Sequence, residues 1–158
     1  MQGSPKVISV LNEALREELL AINQYFIHAM MCEDWGYLHL AKYIRKVSIE
    51  EMRHAESLMQ RILFLEGTPN LTRPMELAVG SSVKAQFESD LKLELQSVKS
   101  YNRFVRTANE EGDNGSRELL ESLLKAEEAH VDYLEAQLEL ISQMGYEYYL
   151  AYQLKDGD

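Results

Sequence analysis

Two short stretches carry the same pairing: Glu51-Met52-Arg53-His54 and Glu127-Glu128-Ala129-His130, each a glutamate followed three residues later by a histidine. On a helix, residues three apart share a face, so each pair offers a carboxylate and an imidazole together. Two more glutamates, Glu18 and Glu94, each stand 33 residues before the glutamate of one pair. In outline the chain is an internal duplication: a glutamate, then Glu-x-x-His, twice. Oxygen and imidazole donors without a thiolate suit iron or manganese, and zinc or cobalt can also occupy such a set. A lone Glu-x-x-His is a weak signal, more often a satisfied polar pair than a metal site. Two copies at matching offsets, with two further glutamates, are a much stronger one.

These residues need elements to position them. Apolar residues recur at the helical period over about 5–33 (Ile8, Leu11, Leu15, Ile22, Tyr25, Phe26, Ala29) and over about 37–65 (Leu40, Ile44, Val47, Ala55, Leu58, Ile62). The same period returns over about 83–109 and 116–143, and the tail over about 146–153 forms a short fifth helix. Ser4-Pro5 reads as a cap and first turn, Ser116 as the cap of the fourth helix and Gly145 as its stop. Asp34-Trp35-Gly36 and Glu111-Gly112-Asp113-Asn114-Gly115 are turns, while Gly67, Pro69 and Pro74 break the stretch 66–82 into a long crossover. Helices of about 28 residues are roughly 42 Å long, and a 17-residue link reaches roughly 56 Å, so the crossover can run the length of a bundle. The second and third helices are then parallel. The reading is an all-α, single-domain four-helix bundle with one long crossover, the ferritin-like arrangement among bundle topologies.

Heptad columns place the acidic residues. Ile44, Glu51, Leu58 and Leu65 form one column, with Val47 and His54 beside it. Leu120, Glu127, Leu134 and Ile141 form another, beside Leu123 and His130, while Glu18 falls between Leu11 and Tyr25 and Glu94 between Phe87 and Tyr101. Four glutamates and two histidines therefore interrupt apolar stripes. The midpoint of Glu18 and Glu51 is 34.5 and that of Glu94 and Glu127 is 110.5, at or beside the two turns, so each hairpin brings its glutamates level. Two unit charges about 4 Å apart repel by roughly 4 kcal/mol at an effective dielectric of 20, before desolvation is counted. Two divalent cations cancel four such charges. Glu51 and Glu127, each beside its own histidine, are placed to bridge two metals, with Glu18 and Glu94 as terminal ligands.

The 158-residue chain has a net charge of -10 and a pI of about 4.9, which argues against nucleic acid or an anionic membrane as partner. A single cysteine, Cys32, excludes an internal disulfide framework and a thiolate zinc site. The opening MQGSPKVISV has no apolar leader core, and a cytoplasmic location is expected.

At these six residues the sequence resembles the bacterioferritins, and the resemblance spans essentially the whole chain. It is carried also by MQGSPKVISVLNEAL, AINQYFIHAMM, RILFLEGTPNL and LISQMGYEYYLAYQ. The resemblance implies a ferroxidase: ferrous iron enters a di-iron centre, O₂ or peroxide takes its electrons, and ferric iron is stored as mineral inside a homo-oligomeric shell of 24 subunits built from dimers. The ligands it implies are Glu18, Glu51, His54, Glu94, Glu127 and His130. It also implies haem b shared between two subunits, with Met52 as axial ligand and Arg45 and Met59 on the same strip, and a small ferredoxin-type reductase to drive iron release. A methionine on a helix is ordinarily packing filler.

Other residues are read more plainly. Tyr25 is placed to donate a hydrogen bond or an electron near the metals, against the alternative of a core tyrosine with a satisfied hydroxyl. His28 is structural, His39 lies on the surface and Cys32 is a small buried hydrophobe. Glu50 and Glu121 belong to an acidic excess that can line an inner cavity, and the C-terminal tyrosines pack an oligomer axis. The sequence departs from the family in carrying Lys46 where some members place a histidine for an inner-surface iron site, which that cation disfavours. Leu58 and Tyr133 replace aromatics often found near the centre. A rival reading keeps the six ligands in a di-metal oxygenase or peroxidase without mineral storage; a third makes the bundle a non-catalytic metal-binding or structural protein.

Overall fold

The computed structural model describes residues 1–71 and 74–155; two residues of the expected crossover, 72 and 73, lie outside the described residues. The described chain is helical throughout its regular parts: α1 (Pro5–Asp34), α2 (Leu38–Phe64), α3 (Val83–Glu110), α4 (Asn114–Met144) and α5 (Tyr146–Tyr152). Ser4 caps α1, its hydroxyl accepting from the Lys6 N–H at 3.2 Å with Pro5 in the first turn. Ser82 caps α3 in the same way through the Ala85 N–H. The start of α4 differs from the expectation. Its cap is Asp113, not Ser116, which is buried in the first turn. The Asp113 carboxylate accepts from both the Ser116 N–H (2.9 Å) and the Ser116 hydroxyl (2.7 Å). A full negative charge at a helix N-terminus interacts with the helix dipole more strongly than a hydroxyl does. Gly36 and Gly112 end the turns after α1 and α3 with φ of 87° and 68°, a left-handed backbone that favours glycine.

α1 packs on α2, α3 on α4, and α1 on α3. The crossover is laid along α1 by side chains that satisfy its backbone. Asn12 donates to the Thr68 carbonyl and accepts from the Asn70 N–H, Arg16 donates to the Pro74 carbonyl, and Gln24 accepts from the Ala78 N–H. His28 accepts from the Gly80 N–H at 3.0 Å. The partners advance together along α1 and the crossover, so the chain travels back to the end where α2 began before starting α3. This makes α2 and α3 parallel. At Gly80 a Cβ would lie 2.3 Å from the Gln86 nitrogen, so only glycine fits where the crossover meets α3.

The apolar interior falls into two clusters. One joins Val7–Leu15 to Ala55–Leu65, Tyr101–Ala108 and Leu120–Leu123; the other joins Ala21–Cys32 to Leu40–Val47, Val83–Phe87, Leu134–Ile141 and Tyr149. The level between them holds the six acidic and imidazole residues. Among the described residues no helix is long and apolar enough to cross a membrane.

His28 is fully buried, with Nδ1 3.0–3.1 Å from the Asp90 carboxylate and Nε2 taking the Gly80 N–H. His28→Ala strands the Gly80 N–H and takes one of the two donors from Asp90, which keeps the Gln24 amide at 2.8 Å, at about 1–3 kcal/mol for each buried group left wanting. The unfolding free energy from denaturant titration is expected to fall by roughly 2–5 kcal/mol; a loss below about 1 kcal/mol would contradict this latch.

Candidate metal centre

Four helices each deliver to one level of the bundle: Glu18 from α1, Glu51 and His54 from α2, Glu94 from α3, Glu127 and His130 from α4. The four glutamates are 1–2% exposed and His130 7%. His54 Nδ1 lies 3.4 Å from carboxylate oxygens of Glu51 and Glu127 and 3.5 Å from Glu18. His130 Nδ1 lies 3.3 Å from Glu51 and Glu127 and 3.5 Å from Glu94. The result is two overlapping donor sets, Glu18-Glu51-His54-Glu127 and Glu51-Glu94-Glu127-His130, with the donor atoms of each within 4.8 Å of one another. Glu51 and Glu127 are common to both. Corresponding members of the two halves are 76 residues apart throughout: Glu18 and Glu94, Glu51 and Glu127, His54 and His130.

Whether this level fits metal ions is answered by its unsatisfied atoms. Glu18 Oε2, Glu51 Oε1, Glu94 Oε2, Glu127 Oε1 and His54 Nδ1 are buried without a hydrogen-bond partner. Buried polar atoms ordinarily find partners, and five orphans gathered from four helices at one level require an explanation. All five are Lewis-basic donors of the two sets, which divalent cations satisfy together.

Without cations the charge is managed by protons. Burial, reinforced by the charges of Glu18 and Glu127, pushes Glu51 well above the ordinary carboxyl range. Burial with Glu94 and Glu18 does the same to Glu127. Burial also acts upward on Glu18, but the facing His54 and Glu51, with the Tyr101 hydroxyl, outweigh it and leave Glu18 below its usual value. For the histidines burial acts downward and is overcome by their carboxylate neighbours: His54 is raised to about 9 by Glu127 and Glu18, and His130 to about 11 by Glu127 and Glu94. Imidazolium and neutral carboxyl groups thus hold the places of the cations.

Two tyrosines brace the terminal glutamates across the bundle. The Tyr25 hydroxyl on α1 donates to Glu94 on α3 at 2.6 Å, and the Tyr101 hydroxyl on α3 donates to Glu18 on α1 at 2.5 Å. Burial and these carboxylates hold both phenols well above their ordinary values, so both remain donors. Tyr25 was expected near the centre. Tyr101 was visible only as the next apolar step after Glu94; its place 76 residues after Tyr25 is the signal that singles it out. A contact not anticipated joins Glu50 on α2 to His130 Nε2 at 3.3 Å.

The remaining expected residues are spread more widely. Met52 sits at this level of α2 but on its outer side, 56% exposed. Ile49 and Arg45 continue its strip at helical spacing, and Arg45 stacks over Phe26 and reaches the Met30 sulfur at 3.3 Å. Phe26, Met30 and Ile49 are also exposed, so the thioether sits in an apolar outer face. His39 and Lys46 are exposed, and Cys32 is buried, its thiol donating to Gln86 and pushed up to about 12 by burial. Leu58 is in the first apolar cluster, and Tyr133 stacks on Tyr43 with ring centroids 4.1 Å apart. Of the C-terminal tyrosines, Tyr149 turns inward against Phe87 and Gln137, which contradicts a purely intersubunit role for it; Tyr148 and Tyr152 are exposed.

Comparison with known proteins agrees on one family. A family model described as a ferritin-like domain matches residues 8–144. The bacterioferritin of Brucella melitensis is 47% identical over 149 residues, covering 94% of this chain and 92% of that protein. The bacterioferritin of Mycobacterium leprae is 46% identical, covering 96% of this chain and 95% of that one. The solved structure of Mycobacterium tuberculosis bacterioferritin BfrA superposes with a TM-score of 0.96 at 44% identity, covering 98% of each chain.

The protonation pattern gives the metal-free fold a definite pH dependence. A histidine raised from 6.5 to about 9 or about 11 contributes its full stabilisation below 6.5 and loses it as pH rises through the folded value. The raised Glu51 and Glu127 act in the same direction, and the lowered Glu18 titrates below this window. The calorimetric midpoint of metal-free protein is expected to fall between about pH 6.5 and pH 9, and zinc loading to flatten that slope. A metal-free midpoint that stays level or climbs over this interval contradicts the assignment of charge.

Proposed function

The chain belongs to the bacterioferritins, a ferritin-like family of iron-storage proteins, and from that premise we propose that it oxidises ferrous iron at the level of Glu18, Glu51, His54, Glu94, Glu127 and His130 and stores the ferric product inside a hollow shell. The observation that carries this reading is the pair of donor sets sharing Glu51 and Glu127, with their five orphaned donor atoms.

Two ferrous ions bring four positive charges to four carboxylates, and the buried level becomes neutral. Binding expels the protons held by the two imidazoles and by Glu51 and Glu127. Transfer of one electron from each ion to O₂, with two protons, yields two ferric ions and hydrogen peroxide. Peroxide itself, with two protons, accepts two electrons to give two waters. The expelled protons are of the kind each reduction consumes. After oxidation the six positive charges exceed the four carboxylates by two, an imbalance that is costly in a dry interior. That excess favours hydrolysis and departure of ferric iron toward the mineral. Tyr25 and Tyr101 hold the terminal glutamates in register throughout.

Met52 would supply one thioether ligand to a haem b shared with a second subunit, and its exposed position on an apolar face fits a group held between two copies. When bound, such a haem supplies one-electron transfer, the chemistry that iron release by a small ferredoxin-type reductase requires. The same face suits the dimers from which a 24-subunit cytoplasmic shell is assembled.

Aerobic addition of ferrous iron tests the reading. Fast oxidation with many irons retained per chain in a large soluble particle is expected; two metals per chain and no mineral would favour a di-metal oxygenase instead. Glu127→Ala removes a ligand common to both sets and is expected to abolish the rapid phase while the shell still forms, because losing one buried carboxylate relieves repulsion. Wild-type oxidation kinetics in that variant would overturn the ligand assignment. In a separate measurement, Met52→Leu is expected to lose the haem Soret band, and an unchanged spectrum would remove Met52 from that role.

A further inference from the structure

The two halves of the centre match residue for residue until the second nitrogen of each histidine is considered. His130 Nε2 faces the Glu50 carboxylate at 3.3 Å, across from α4 to α2. Glu50 immediately precedes the shared ligand Glu51. The residue in the same place in the other half, 76 positions on and immediately preceding Glu127, is Ala126. A methyl group cannot accept a hydrogen bond, and no described residue is paired with His54 Nε2. The duplication is therefore broken at one position, and the break falls on a neighbour of a metal-facing imidazole.

A histidine that gives its Nδ1 lone pair to a cation carries its proton on Nε2. A carboxylate accepting from that N–H fixes the ring's tautomer and orientation and makes the ring a stronger donor. His130 has such an acceptor and His54 does not. Glu50 also adds a fifth carboxylate beside the His130 set, which further favours a cation there. Glu50 is about a third exposed (37%), so it makes this contact at little desolvation cost.

We infer that Glu50 is a positioning residue for His130, and that the two metal positions are unequal: the one served by His130 holds a divalent cation more tightly than the one served by His54. This rests on the reading of the six residues as a two-metal site. On that basis the His54 position is the one that empties and refills first, and the shared glutamates Glu51 and Glu127 remain anchored by the ion on the His130 side.

The test is titration of the assembled full-length protein with cobalt(II), followed by calorimetry and by the visible d–d absorption of the bound ion. Two ions per chain with separable affinities are expected. Failure to bind two would overturn the two-metal reading itself and is distinguishable from failure of the inequality. Glu50→Ala is expected to weaken only the tighter site, by about 10–100-fold. Glu50→Gln, which retains an acceptor oxygen, is expected to recover most of that loss. In a His130→Ala background Glu50→Ala should have a much smaller effect, the remainder being its direct charge, which assigns the larger part of the coupling to this pair. Ala126→Glu installs the missing acceptor and is expected to tighten the weaker site. Two equal sites in the native protein, or equal weakening of both in Glu50→Ala, overturns the proposal.

Discussion

Mutual repulsion among four buried carboxylates is the constraint around which this bundle is organised. Each of Glu18, Glu51, Glu94 and Glu127 comes from a different helix, and none can escape to solvent without drawing its helix out of register. The fold tolerates them because two histidines stand at the same level and because protons or cations can fill the space between. The apolar interior adapts by dividing, one cluster to each side of the charged level. Stability is thus concentrated in the layers flanking the site, and the site itself is free to exchange its occupants.

The same constraint explains the bracing. A carboxylate that must sometimes face a proton and sometimes a cation needs a fixed direction in both states. Tyr25 and Tyr101 provide it from the opposite hairpin, each phenol donating to the terminal glutamate of the other half. The crossover contributes from outside. By running along α1 and closing at His28 and Gly80, it sets α3 parallel to α2 and brings the second hairpin to the correct level.

Much of this was legible in the residues. The helices, the direction of the crossover and the convergence of the six donors follow from apolar spacing and from turn midpoints, because a helix of known rise converts residue number directly into depth. What was not legible depended on reach across the bundle. Glu50 reads only as one of an acidic excess that can line an inner cavity, since nothing in its own helix shows that His130 lies opposite. Tyr101 reads as core because hydroxyl partners come from another element. The cap of α4 went to Asp113 because a carboxylate serves two donors of Ser116 where a serine hydroxyl serves one. Tyr149 turned inward because the chain bends at Gly145, and α5 beyond it folds back toward Phe87.

The division of donors between hairpins has a mechanical side. Each of the two donor sets draws three groups from one hairpin and a single glutamate from the other. A pair of ions held there would fasten the hairpins together with crossed stitches, independently of the peptide that connects them. A chain cut within the crossover would then keep its halves joined while ions are held and would loosen along the α1–α3 seam when emptied, so the ions would serve as rivets between the two hairpins.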